Sequence, residues 1–124
     1  MFKSGNVAVD RYLGEGYETV LGMSSRFAAT ICGHVMRRQS ELGIGGHFLE
    51  IGTFEGRFFI AMALGLEPGE RAFGIDSFDW PDAGLYERFH ANCARHGLAR
   101  ERYTALRAST RGLATRQLAD ALGG

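Results

Sequence analysis

Two carboxylates close two short apolar runs: Glu50 lies at the end of Phe48-Leu49-Glu50-Ile51, and Asp76 ends Ala72-Phe73-Gly74-Ile75-Asp76. After the first run comes Gly52-Thr53-Phe54-Glu55-Gly56 and then an amphipathic segment. A strand that runs into a glycine-punctuated turn and a helix is a binding-site layout. Gly52 and Gly56 admit a ligand close to the backbone, and the helix start aims unpaired N–H groups and its positive dipole end at the same crevice. If the two runs are parallel neighbours, both acids flank that turn. Such a pair suits a ligand rich in hydroxyls and positive charge better than a phosphate. A dinucleotide site needs Gly-x-Gly-x-x-Gly, but position 54 is Phe, and the Gly-Lys-Ser/Thr of a phosphate loop occurs nowhere.

The elements that position these residues follow from periodicity and punctuation. Ser24 or Ser25 caps a helix running to about Leu42, with Phe27, Ile31 and Val35 spaced every four residues and Gly43 as its stop. That stripe is expected to pack on the sheet. The first strand spans roughly Phe48 to Ile51, and the helix after Gly56 places Phe59, Ile60, Ala63 and Leu64 on one face before Pro68-Gly69 turns the chain. The second strand covers Arg71 to Asp76. Beyond Trp80-Pro81, the stripe Leu85, Phe89 and Cys93 marks a helix ending near Gly97. A third strand is expected over Tyr103 to Arg107, and Ser109 or Thr110 begins a last helix bearing Leu113, Leu118, Ala121 and Leu122. Residues 1–22, glycine-rich and without clear period, read as an irregular leader. Residues 23–124 read as a partial α/β domain, a Rossmann-like doubly wound parallel sheet that stops after its third strand, with strand order 3-2-1.

The heptad Glu50-Ile51-Gly52-Thr53-Phe54-Glu55-Gly56 resembles the acid-x-Gly-x-x-x-Gly motif of class I S-adenosylmethionine-dependent methyltransferases, and Asp76 falls where that family keeps its ribose-binding acid. The likeness spans about residues 44 to 110 and is reminiscent of small-molecule O-methyltransferases of the macrocin type. It implies S-adenosyl-L-methionine as cofactor and a small-molecule methyl acceptor. By the same resemblance, Glu50 contacts the methionyl amino group and Asp76 accepts hydrogen bonds from both ribose hydroxyls. Gly52, Thr53, Phe54 and Gly56 form the turn on which the methionyl portion lies, and Ser77 and Phe78 pack along the adenosyl group. Ser109 sits where relatives contact the adenine edge. Many of them have an acid there, whereas this chain has Ala108-Ser109-Thr110, so a hydroxyl or backbone groups would take that role. Structural roles for the same residues stay open: Glu50 as a cap on the next turn, Phe54 as core, Trp80 as a packing anchor.

Composition excludes several other classes. Fourteen Lys and Arg balance fourteen Asp and Glu, which leaves no broad electrostatic footprint for nucleic acid or an anionic membrane. The longest apolar stretch, Phe58 to Leu66, is far short of the roughly 20 residues a spanning helix needs. Two cysteines, Cys32 and Cys93, each within an expected helix, suit reduced thiols, and a cytoplasmic location is expected. His90, Cys93 and His96 share one helix, but their spacing drifts around it and supplies no fourth zinc ligand. No nucleophile elbow is present, and no general base is assigned. With nothing beyond the third strand to pair with it, the first strand is expected to be an open edge, which calls for a second copy or a partner chain to cover it.

Overall fold

The computed structural model describes residues 2–123. Its centre is a three-stranded parallel sheet, β1 (Phe48–Ile51), β2 (Ala72–Asp76) and β3 (Tyr103–Arg107), with β2 in the middle. Register pairs Phe48 with Ala72 and Glu50 with Gly74 on one side of β2, and Asp76 with Arg107 on the other. The chain is therefore an α/β protein with helices flanking a parallel sheet, and the sheet has the expected strand order.

Three of the helices lie in the order expected: α2 (Arg26–Glu41), α3 (Arg57–Leu64) and α4 (Leu85–Arg95). Ser25 provides the N-cap of α2, its hydroxyl accepting from the Ala28 N–H at 3.0 Å. Phe59, Ile60 and Ala63 of α3 and Leu85, Phe89 and Cys93 of α4 are buried, as their spacing requires. Their rings stack at the middle of the core: Phe59 lies 5.3 Å from Phe89 and 5.9 Å from Tyr103, centroid to centroid. Phe48, Ala72, Tyr103 and Ala105 supply the sheet side of this core. The last helix, α5 (Thr115–Ala121), begins later than the sequence suggests, after a single 3-10 turn at Thr110–Gly112. It lies on the opposite face, where Leu118, Ala121 and Leu122 approach Leu49, Phe73 and Leu106.

Two expectations are corrected. Residues 1–22 are not an irregular leader: Val7–Glu15 form a further helix, α1, followed by a 3-10 turn at Tyr17–Thr19. Asn6 caps α1 by accepting from Val9 N–H at 3.1 Å, and Val9, Tyr12, Leu13, Tyr17 and Val20 are all buried. Gly14 and Gly16, which weaken the helical signal, sit at and just beyond the end of α1, where the chain turns. The second correction concerns α2, whose stripe Phe27, Ile31 and Val35 does not pack on the sheet but is 68%, 39% and 49% exposed. The buried face of α2 consists of Ala29, Thr30 and Gly33. Small residues win that face because α1 approaches closely; a Cβ on Gly33 would come within 2.9 Å of Ser4 Cβ and 3.3 Å of Val9 Cγ1.

Candidate functional site at the strand tips

Parallel strands aim paired residues at the same face, so Glu50, Gly74 and Asp76 all project toward the α3 side, with the two acids diagonal across β1 and β2. A cavity of about 690 Å³ opens at this end of the sheet, lined on its floor by Glu50, Gly52, Thr53, Phe54 and Asp76. Gly52 adopts φ +84, and a Cβ there would meet nothing within 4 Å. The bend between the acids is thus open to a ligand. Gly56, at φ +96, caps α3; a Cβ there would press on the Phe89 ring at 3.1 Å. Its role is to seat the turn on α4, at the back of the site.

The two acids differ in how they are held. Asp76 is spent on backbone: one carboxylate oxygen accepts from Phe54 N–H at 2.9 Å and the other from Phe78 N–H at 2.9 Å. Both phenylalanines have left-handed backbone, φ 50 and φ 55, a conformation that is costly for bulky residues and here is held by these bonds. Each oxygen of Asp76 keeps acceptor capacity for a further donor. Glu50, by contrast, has a buried Oε1 with no hydrogen-bond partner, and Oγ1 of Thr53, which lines the same cavity, is likewise unpartnered. Burial, and then the charge of Asp76, push the Glu50 carboxyl up to about 7. An incoming cation or hydrogen-bond donor would relieve both conditions.

The other residues expected at the site divide. Phe54 lines the cavity, its ring 6.0 Å from that of Trp80, which also lines it. Ser77 and Ser109 do not reach this cavity; they line a smaller hollow of about 230 Å³ that shares Gly52 and Asp76 with it. Ser77 donates to Asp79 at 2.7 Å. Phe78 is a correction. Its ring is fully buried against Tyr86 and Phe89, so it is core, and it serves the site only through its backbone N–H. The left-handed turn after Asp76 swings the side chain inward. Glu55, inside the glycine motif, is also structural: it accepts from Arg88 Nε at 2.7 Å while its carbonyl accepts from Asn92 Nδ2 at 2.9 Å, tying the turn to α4.

Sequence reasoning missed one wall entirely. Leu21, Gly22, Met23 and Ser24, from the segment between α1 and α2, face the cavity together with Arg57 and Phe58 of α3. Arg57 fastens that segment: Nε donates to Val20 O at 2.6 Å, Nη1 donates to Ser24 O at 3.2 Å, and Nη2 lies 3.5 Å from Glu18 Oε2. The only prior signal was an arginine at the first position of a helix, where a cation is disfavoured unless something outside the helix engages it.

The reactive side chains of α4 and its C-terminal end are occupied elsewhere. His90 Nδ1 lies 2.6 Å from Tyr103 Oη, and burial, then Arg100, lower its proton affinity. Cys93 is buried with its thiol pushed up to about 12 by desolvation, hence inert. His96 packs on Tyr12, so the three do not converge, and among the described residues no cluster of three or more His, Cys, Asp or Glu side chains could hold a metal ion. No described helix is long and apolar enough to cross a membrane. A comparison with known protein families matches no family model to this chain, and none of the curated proteins matches it.

Proposed function

We propose that the strand-tip cavity binds S-adenosyl-L-methionine and that the chain serves methyl transfer to a small molecule, in a Rossmann-like doubly wound fold. The observation that carries this reading is the orphaned, half-neutral Glu50 facing an open glycine bend, with Asp76 one strand away. An ammonium beside Glu50 would satisfy Oε1 and draw the proton off the carboxyl. Asp76 retains acceptor sites for two hydroxyls, and Gly52 leaves the backbone bare where a ligand chain could lie. The position of α5, on the face opposite α3 and α4, is the arrangement a doubly wound sheet uses when its next strand joins the other side of β1. When bound, the cofactor supplies an already activated methyl group on a sulfonium, so no covalent catalyst is required. The residues of the chain orient the ligand, keep the Glu50 carboxylate paired, and shield the site from water with Phe54 and Trp80.

The test is calorimetric titration with S-adenosylhomocysteine. Saturable binding is expected for the unmodified chain and its loss for Gly52→Arg. Gly69→Arg is the matched control, since Gly69 has nearly the same φ, +90, with nothing within 4 Å, in a turn away from the cavity. The absence of binding in the unmodified chain, or equal loss in both variants, overturns the reading.

A second reading is favoured by the outer edge of β1, which pairs with no other strand among the described residues. Leu49 and Ile51 of β1 are exposed, and the chain carries no net charge to keep copies apart. On this reading a second copy pairs its β1 antiparallel across a two-fold axis, the geometry a self-complementary edge imposes. The solution mass should then double with concentration and return to that of one chain on Ile51→Lys.

A further inference from the structure

The cavity has two chemically unlike sides. Its floor carries two carboxylates, Glu50 and Asp76, while Leu21 and Met23 of the outer wall and the Phe54–Trp80 ring pair give it an apolar side. Arg57 is the single cation among the lining residues, and it is committed. Its three nitrogens each face an oxygen of residues 18–24, and its guanidinium lies 5.1 Å over the Tyr17 ring. A ligand of net negative charge, with no cation of its own to balance it, would thus meet two acids and no free positive charge, losing hydration without a charged partner in return. An aromatic body meets the opposite situation. Trp80 is largely exposed, Leu21 and Met23 are exposed beside it, and a thioether and an indole together make a favourable aromatic contact.

The wall bearing Leu21 and Met23 is held at a fixed distance from the floor. Val20 is buried, Tyr17 Oη lies 2.6 Å from Ser24 Oγ, and a Cβ on Gly22 would come within 2.8 Å of Arg57 Cβ. The segment is a strap, with Arg57 as the residue that positions it.

We infer that the methyl acceptor is an uncharged or cationic molecule with an aromatic body, clasped between the Phe54–Trp80 pair and the strap residues Leu21 and Met23, and that phosphorylated or carboxylated acceptors are rejected. This rests on the methyl-transfer reading for the word acceptor, but the preference itself is a property of the cavity and can be read without turnover. The probes are 4-fluorophenol and 4-fluorophenyl phosphate, followed by fluorine NMR with the full chain. S-adenosylhomocysteine binding is measured by calorimetry on the same samples. The phenol is expected to bind about tenfold more tightly than its phosphate ester. The double variant Leu21→Asn/Met23→Gln, at two exposed positions, should weaken phenol binding about fivefold. In Arg57→Met the amides of residues 21–24 should exchange about tenfold faster, with those of β2 unchanged. Equal binding of the two probes, or phenol binding indifferent to the double variant, overturns the inference. An unmodified chain that binds the phenol selectively but not S-adenosylhomocysteine overturns the methyl-transfer reading instead, leaving an aromatic-binding cavity.

Discussion

Two helices of this protein carry the same four-residue apolar spacing and use it in opposite ways. In α4, Leu85, Phe89 and Cys93 are sealed in the core; in α2, Phe27, Ile31 and Val35 look outward while Ala29, Thr30 and Gly33 face α1 and α3. Spacing identifies an amphipathic helix, but the buried face goes to whichever residues fit the neighbour. α4 lies over the sheet through rings that need volume, whereas α2 is drawn close to α1 through residues that lack it. The large side chains of α2 are left over, available for something that is not part of this packing.

That contrast is open to direct attack. Phe89→Ala removes a ring in contact with Phe59, Phe78 and Tyr103 and is expected to cost about 3–5 kcal/mol, read as a lowered denaturant midpoint. A cost below about 1 kcal/mol would dissolve the distinction between the helices.

The same lesson, that surroundings outrank residue type, is sharpened by Glu50. Its carboxyl is protonated in folded and unfolded chains below about 4.5 and ionised in both above about 7; between these values only the folded chain keeps the proton. Stability attributable to Glu50 therefore falls as pH rises through that window, by about 3 kcal/mol at most, and Glu50→Gln should flatten the profile in urea unfolding between pH 4.5 and 7.5. A cationic ligand shows the converse dependence. It should bind less tightly as pH drops below about 7, approaching tenfold per pH unit, and the dependence should vanish in Glu50→Gln.

Smaller effects probe the amino-terminal region. Tyr17→Phe loses the hydroxyl contact with Ser24 and should cost about 1 kcal/mol in thermal unfolding, enough to show that this region is folded with the rest. Phe27→Ser, at the exposed stripe, should change monomer stability by no more than about 0.5 kcal/mol, although the corresponding loss of ring is as large as in α4. A larger cost would mean that the α2 stripe is packed after all.

The strands and the helices α3 and α4 were legible because short apolar runs ended by glycine, proline or an acid leave few alternatives for a sheet and its crossovers. The site floor was legible for a related reason: Glu50, Gly52 and Asp76 sit where strands end, and strand register follows from keeping the core-facing side chains of each strand on one face. What was illegible depended on contacts made across the chain. α1 was hidden by Gly14 and Gly16, although Asn6 caps it and Val9, Tyr12 and Leu13 bury one side. Phe78 looked like a ligand contact because the sign of φ at that position, which sends its ring inward, is set by a hydrogen bond to Asp76 and by no pattern of residue types. The cavity wall at residues 21–24 was invisible since Arg57, thirty-odd positions later, is what places it.

The division of labour between the two acids determines which one a mutation can interrogate. Asp76 works as a clip that closes two turns at once, so exchanging one of its oxygens for an amide turns an acceptor toward Phe54 or Phe78 into a donor and lets a loop spring away. Glu50 clips nothing. Altering it changes the cavity's electrical character while the outline stays the same, which makes the first strand's acid the clean handle on chemistry and the second strand's acid the hinge pin of the site's shape.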